Sequence, residues 1–237
     1  MKKLASLFKE KKPLKMLDVG TGGGNFISLI QNVYTTYEEI IGIDTLNVAI
    51  NTATDNFKDD NRISFVEMDG THLEFADETF DVVSLSNSLH HIRNPKSIIA
   101  EMTRVLKKGG FLIFGEMMSN HLDERQLSHL KMHHFAAKID RLRGVTHDET
   151  LSDKEIISLL EEASPLKITN HWHLFYERQK ENSDDEINWL LSTIDKLTNN
   201  VPKNMETELK LEAESIKSYI RIHGFDSCTT MIVVMDK

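Results

Sequence analysis

A glycine run and three aspartates carry the pattern in this chain most suited to chemistry. Leu17-Asp18-Val19-Gly20-Thr21-Gly22-Gly23-Gly24-Asn25 follows a short apolar run and opens a helix-like one. Glycines there let the backbone pass close to a bound molecule with no Cβ in the way. Asp44 ends the next apolar run, where a carboxylate can accept both hydroxyls of a ribose. Asp69, in Glu67-Met68-Asp69-Gly70 after a third run, can accept from an exocyclic amine such as that of adenine. Taken singly, the glycines read as a tight turn and either Asp as a turn or N-cap residue. Together, each just past a strand-like run, they describe a nucleoside site at the carboxyl edge of a sheet. A dinucleotide fingerprint places its third glycine at position 25, where this chain has Asn, so an NAD-dependent oxidoreductase is a disfavoured alternative.

The elements that must position these residues alternate. Strand-like runs at 14–19, 40–43, 62–66, 80–85 and 111–114 are short, continuous and rich in Ile, Val, Leu and Phe, as suits strands buried on both faces. Between them, Phe26, Ile27, Ile30 and Val33 recur at helical spacing, as do Ile98, Ile99, Met102, Val105 and Leu106. The second of these helices is expected to start after Pro95 and stop at Gly109-Gly110. Such alternation implies an open, mostly parallel α/β sheet with helices on both faces and right-handed crossovers.

After Gly115 the spacing predicts a long helix over 121–143, with Leu127, Leu130, Phe135, Ile139 and Leu142 on its apolar side. Ser152-Asp153-Lys154-Glu155 and Ser183-Asp184-Asp185-Glu186 are capping boxes opening two more helices. A strand over 166–176, a helix over 205–222 and a closing strand over 228–235 complete the reading.

The chain has 237 residues, 40% hydrophobic and 27% charged, a globular composition. Lys and Arg number 28 against 37 Asp and Glu, a formal charge of -9, which argues against nucleic acid or an anionic membrane as partner. One cysteine, Cys228, excludes an internal disulfide and a multi-thiolate zinc site. No apolar run approaches the ~20 residues of a membrane span, and the N-terminus lacks a signal-peptide core. A cytoplasmic protein is expected; oligomeric state stays open.

The order Asp18-x-Gly20-x-Gly22-x-Gly24, Phe80-Asp81-Val82-Val83, Asn87-Ser88-Leu89-His90-His91-Ile92 and Glu101-Met102-Thr103-Arg104-Val105-Leu106-Lys107-Lys108-Gly109-Gly110 resembles the class I S-adenosylmethionine-dependent methyltransferases. The resemblance covers about residues 14–116 and is greatest to the small-molecule subgroup that includes the quinone-biosynthesis enzymes. Lys108, where that subgroup often has Pro, is a departure confined to a turn. The resemblance implies a Rossmann-like, seven-stranded sheet whose last strand is antiparallel. It implies that the Gly20–Gly24 turn faces the methionine part of the cofactor, with Asp18 shaping the turn and Thr21 within it. Asp44, Thr45 and Leu46 would take the ribose side, Asp69 and Gly70 the adenine edge. Ser86 and Asn87 would lie near the amino-acid moiety or the acceptor. The expected function is methyl transfer from S-adenosylmethionine to a small-molecule acceptor by direct displacement, in one domain over 1–237. Its cofactor core is 14–116, and helical elements at 120–165 and 178–224 would cap the acceptor. A non-catalytic cofactor-binding module of the same fold is the other alternative.

Eleven histidines bear on catalysis and metal binding. His90 and His91 follow the fourth strand, and one of them should point to the cleft, as a contact or as a packed structural histidine. Besides His90 and Asn87, Arg143 and His147 are candidates for the acceptor site; they lie with Arg141 and Asp148 around Gly144, as an anion site or as a surface charge cluster. His129, His133 and Asp140 share one side of the long helix at a spacing that could hold a metal. With no third ligand fixed by spacing, a solvated polar face is the plain reading and no metal is assigned. Trp172 and Trp189 are expected as core or lid aromatics, and Cys228 as core.

Overall fold

The computed structural model describes residues 1–9, 11–175, 181–199 and 201–237. Seven strands form one sheet: β1 (Lys15–Val19), β2 (Glu39–Asp44), β3 (Ile63–Glu67), β4 (Phe80–Ser86), β5 (Leu106–Met117), β6 (Lys167–Leu174) and β7 (Thr230–Asp236). Their order is β3-β2-β1-β4-β5-β7-β6. The first five strands are parallel, and β7 runs antiparallel between β5 and β6. From β1 the chain winds outward to β2 and β3, then returns to lay β4 on the other side of β1. The order therefore reverses at β1 and β4, and a crevice opens past their carboxyl ends.

The helices are α1 (Lys2–Phe8), α2 (Asn25–Gln31), α3 (Asn47–Asn56), α4 (Pro95–Val105), α5 (Glu124–Leu142), α6 (Asp153–Ala163), α7 (Asp184–Leu197) and α8 (Glu206–His223). One face of the sheet packs Leu17, Val83, Leu85, Leu112 and Phe114 with Ile99 and Met102 of α4 and Ile156 and Leu160 of α6. The other packs Met16, Val82, Ile113 and Ile232 with Ile27 and Ile30 of α2 and Leu4 and Phe8 of α1. Strands covered on both sides are what the continuous apolar runs required.

The capping boxes form as expected: Ser152 opens α6 and Ser183 opens α7, each exchanging hydrogen bonds with the Glu three residues on. A third, Asp123 with Gln126, opens α5. Gly109-Gly110 does not end a helix. Instead α4 stops at Val105 and β5 begins at Leu106, with a register shift at Phe80–Val82 that places both glycines inside the strand. Residue 176, expected to end the strand before the helical insertion, lies outside the described residues. Leu142, expected on the buried side of α5, is 38% exposed, and Trp189 is 64% exposed while Trp172 is buried. Phe135 and Ile139 of α5 do pack inward, onto Leu190, Leu191 and Ile194 of α7 and Leu209, Ala213, Ile216 and Ile220 of α8. This third core makes α5, α7 and α8 one unit beside the sheet.

Candidate functional site

The crevice at the reversal point is a cleft of about 800 Å³. Its wall begins with the β1–α2 turn, where Gly20, Thr21, Gly22 and Gly23 all line the space. The turn is held from below: the Thr21 hydroxyl donates to Asp18 at 2.8 Å and the Ser84 hydroxyl donates to the other carboxylate oxygen at 2.6 Å. Asp18 is buried, and that burial pushes its carboxyl up to about 6, against the two hydroxyls that lower it.

Two glycines of the turn do different work. Gly22 has φ 52°, and a Cβ built on it would meet nothing within 4 Å, so it opens directly onto the cleft. Gly24, with φ 84°, is turned the other way: a Cβ there would stand 2.3 Å from Phe57. Gly24 does not line the cleft; it lets α2 start flush against the Phe57 ring, a packing role where a cofactor contact was expected.

Asp44 is placed by β2 and lines the cleft beside Thr45 and Leu46. Its carboxylate accepts the Gly22 N–H and the Leu46 N–H, each at 3.0 Å, so it ties the glycine turn to the end of β2. Each oxygen keeps a further lone pair for a ligand hydroxyl. Asp69, past the end of the neighbouring β3, lines the cleft with Met68, Gly70 and Thr71, and accepts the Thr71 N–H at 2.8 Å in an Asx turn. Leu85, Ser86, Asn87 and Ser88 complete the wall from the end of β4. Asn87 sits at φ 47°, its N–H donating to Gly115 and its side-chain oxygen accepting from Met117, so it clamps the β4 turn onto β5. Carboxylates past the adjacent strands β2 and β3, the bare backbone of the β1–α2 turn beside them and Phe26, Ile92 and Ile98 as apolar lining fit a nucleoside with an amino-acid tail, the shape of S-adenosylmethionine.

The histidine pair after β4 divides. His91 lines the cleft, and burial followed by the nearby His90 and His147 push its imidazole down to about 4. His90 lies behind, with Nδ1 on the buried Glu116 carboxylate at 2.5 Å. Glu116, which also accepts the Leu89 N–H, gave no signal in the sequence because it directly follows the apolar Phe111–Phe114 run and Gly115. The loop after α5 folds over this turn: Arg93 donates to Thr146, Asp148 N–H donates to the His90 carbonyl, and Val145 and Thr146 line the cleft. Val145, Thr146 and Arg93 carry no signal in the sequence, and Ser88 lies inside the Asn87–Ile92 segment without a role assigned to it.

The remaining candidates fall elsewhere. Arg143 donates to the carbonyls of Leu197 and Asn199 at the end of α7, and Arg141 to the His147 carbonyl, so neither guanidinium faces the cleft. The His129–His133–Asp140 face is not a solvated one, and it splits. His129 Nδ1 accepts from the Cys228 N–H, Asp140 meets His147 Nδ1 at 2.8 Å, and His133 packs between His90 and His147 with ring centroids 4.9 Å from each. Burial, then the surrounding imidazoles, push His133 down to about 3. Cys228 is buried, and burial pushes its thiol up to about 12.

Comparison with known proteins follows this geometry. Residues 17–114 match the family described as methyltransferase domain. A demethylmenaquinone methyltransferase of Bacteroides fragilis is 31% identical over 119 residues, 49% of this chain and 48% of that protein. The chain thus matches about half the length of such curated relatives. Among solved structures, the YcgJ protein of Bacillus subtilis superposes with a TM-score of 0.61 at 15% identity, covering 100% of this chain and 97% of that one. A SAM-dependent methyltransferase of Aquifex aeolicus gives 0.54 at 19% identity over 72% and 81%. No helix among the described residues is long and apolar enough to cross a membrane. Residues 17–114 match a methyltransferase domain, and the seven-stranded sheet around them has the fold seen in a solved S-adenosylmethionine-dependent methyltransferase.

Proposed function

We propose that this chain transfers the methyl group of S-adenosylmethionine to a small-molecule acceptor at the mouth of the cleft. One observation carries the reading: the glycine turn, Asp44, Asp69 and the Ser86–Ser88 segment, far apart in sequence, line a single cavity. In this reading Asp44 takes the ribose hydroxyls, Asp69 and Gly70 the adenine edge, and the Gly20–Gly22 backbone the methionine part. Asp18 acts through Thr21, as a positioning residue. The bound cofactor supplies a methyl group already activated by its sulfonium. The protein's share is then alignment of the acceptor and exclusion of water.

The acceptor lies on the side of the cleft lined by His91, Arg93, Val145 and Thr146. Helices α5, α7 and α8 contribute no residue to the cleft lining. They act as a cap indirectly, by holding the 143–150 loop over the β4 turn. A net charge of -9 favours a small acceptor over a nucleic acid.

Calorimetric titration with S-adenosylmethionine and with NAD, followed by transfer from methyl-labelled cofactor into a metabolite extract, tests the proposal. Binding of S-adenosylmethionine together with a labelled product supports it. Binding with no labelled product would make the chain a cofactor-binding module, and a preference for NAD would overturn the cofactor assignment.

A further inference from the structure

Behind the cleft, three imidazoles from three separate segments converge: His90 in the turn after β4, His133 in α5 and His147 in the loop after α5. Taking one nitrogen from each, the three atoms lie within 4.8 Å of one another. His90 and His147 are buried and His133 is half-buried.

The proton placement is decided by two carboxylates. Glu116 holds His90 at Nδ1 and Asp140 holds His147 at Nδ1, at 2.5 and 2.8 Å. A carboxylate on Nδ1 fixes the proton there and leaves Nε2 as a lone-pair donor. His147 Nε2 in turn faces His133 Nε2 at 3.2 Å. Two nitrogens each about 2.0–2.1 Å from a tetrahedral ion stand roughly 3.3–3.4 Å apart, so this pair already has the bite of a shared metal. Charge points the same way: the two carboxylates behind the rings complement a dication, and Arg143 approaches Asp140 only at 4.0 Å. A packed polar core would need neither the carboxylate pair nor the convergence of three ring nitrogens.

We propose that His90, His133 and His147 form a binding site for a divalent transition-metal ion of the zinc class, oriented by Glu116 and Asp140. Imidazole nitrogen is a ligand of choice for zinc, cobalt and nickel, and a poor one for magnesium or calcium. Three protein ligands leave a fourth position open to water or to a donor atom of a bound molecule. The site adjoins the cleft, because His91 and Thr146, the chain neighbours of His90 and His147, line it.

The test uses the full chain, stripped with a chelator and titrated with Zn²⁺ against a chromophoric competitor, then with Co²⁺ read by its visible absorption. One ion per chain and an intense tetrahedral Co²⁺ spectrum are expected. His133→Ala should abolish stoichiometric binding, and it is the variant of choice because His133 is half-buried and best placed to tolerate truncation. Asp140→Asn should weaken binding about 10- to 100-fold, the usual cost of losing an orienting partner. His129→Ala should bind as wild type, since its ring serves the Cys228 N–H. Circular dichroism confirms that each variant is folded. Folded wild-type chain that binds no Zn²⁺ at micromolar concentration would overturn the proposal, and so would undiminished binding by His133→Ala. Neither result depends on methyl transfer.

Discussion

Adding one methyl group at Gly22 and, separately, at Gly24 should produce opposite failures. Both residues have positive φ, so Ala at either costs about 1–2 kcal/mol of backbone strain. At Gly24 the new Cβ would also stand 2.3 Å from Phe57, inside a packed contact, adding an overpacking cost of about 1–3 kcal/mol. Gly24→Ala should therefore lose about 2–5 kcal/mol, and Gly22→Ala about 1–2 kcal/mol. For a chain of this size these losses correspond to about 4–20 °C and about 2–8 °C in Tm. Cofactor affinity should reverse the ranking. The Gly22 Cβ meets no protein atom within 4 Å and enters the cleft, the space proposed for the cofactor. A comparable overpacking cost there weakens S-adenosylmethionine binding roughly 5- to 150-fold. Folded Gly24→Ala should bind within twofold of wild type. Scanning calorimetry and isothermal titration on the two variants read both quantities. Wild-type affinity in Gly22→Ala, or lost affinity with unchanged Tm in Gly24→Ala, would refute the division of labour in this turn.

Asp44→Ala should weaken S-adenosylmethionine binding about 10- to 150-fold, from the loss of a charge-assisted contact worth about 1.5–3 kcal/mol, as titration calorimetry would read. Asp18, raised to about 6 by burial, binds its proton more tightly folded than unfolded, so its contribution is fully present below about pH 4 and is lost as pH rises through 6. Asp18→Asn should accordingly gain on the order of 2–3 kcal/mol relative to wild type between pH 4 and pH 7 in urea unfolding; a pH-independent difference would contradict the burial of that charge. Ile194→Ala, at a fully buried position between α5, α7 and α8, should cost about 2–5 kcal/mol in the same assay. A loss under 1 kcal/mol would show that the three helices are not a packed unit.

Local physics wrote much of this molecule into its order of residues. Buried parallel strands demand continuous apolar runs, so β1 to β5 and the carboxylates at their ends were legible, and with them Asp18, Asp44 and Asp69. Capping boxes are four-residue devices, so the starts of α6 and α7 could be read directly. The strand ends also placed Gly22 on the cleft, because a sheet of this kind opens its crevice at the carboxyl edge. What local pattern could not hold is direction and convergence. Gly22 and Gly24 look alike in a glycine run, and only the packing of Phe57 from α3's end separates them. His90 and His91 are neighbours, yet a single turn sends one to the cleft and the other to Glu116. Helical spacing grouped His129, His133 and Asp140, whereas the fold turned His129 to the Cys228 N–H and brought both His133 and Asp140 onto His147. Arg143 read as an anion ligand or as part of a surface charge cluster, and the fold instead set it on the Leu197 and Asn199 carbonyls at the end of α7. Side-chain partners of this kind are set by contacts between segments far apart in the chain, and no spacing along one segment encodes them.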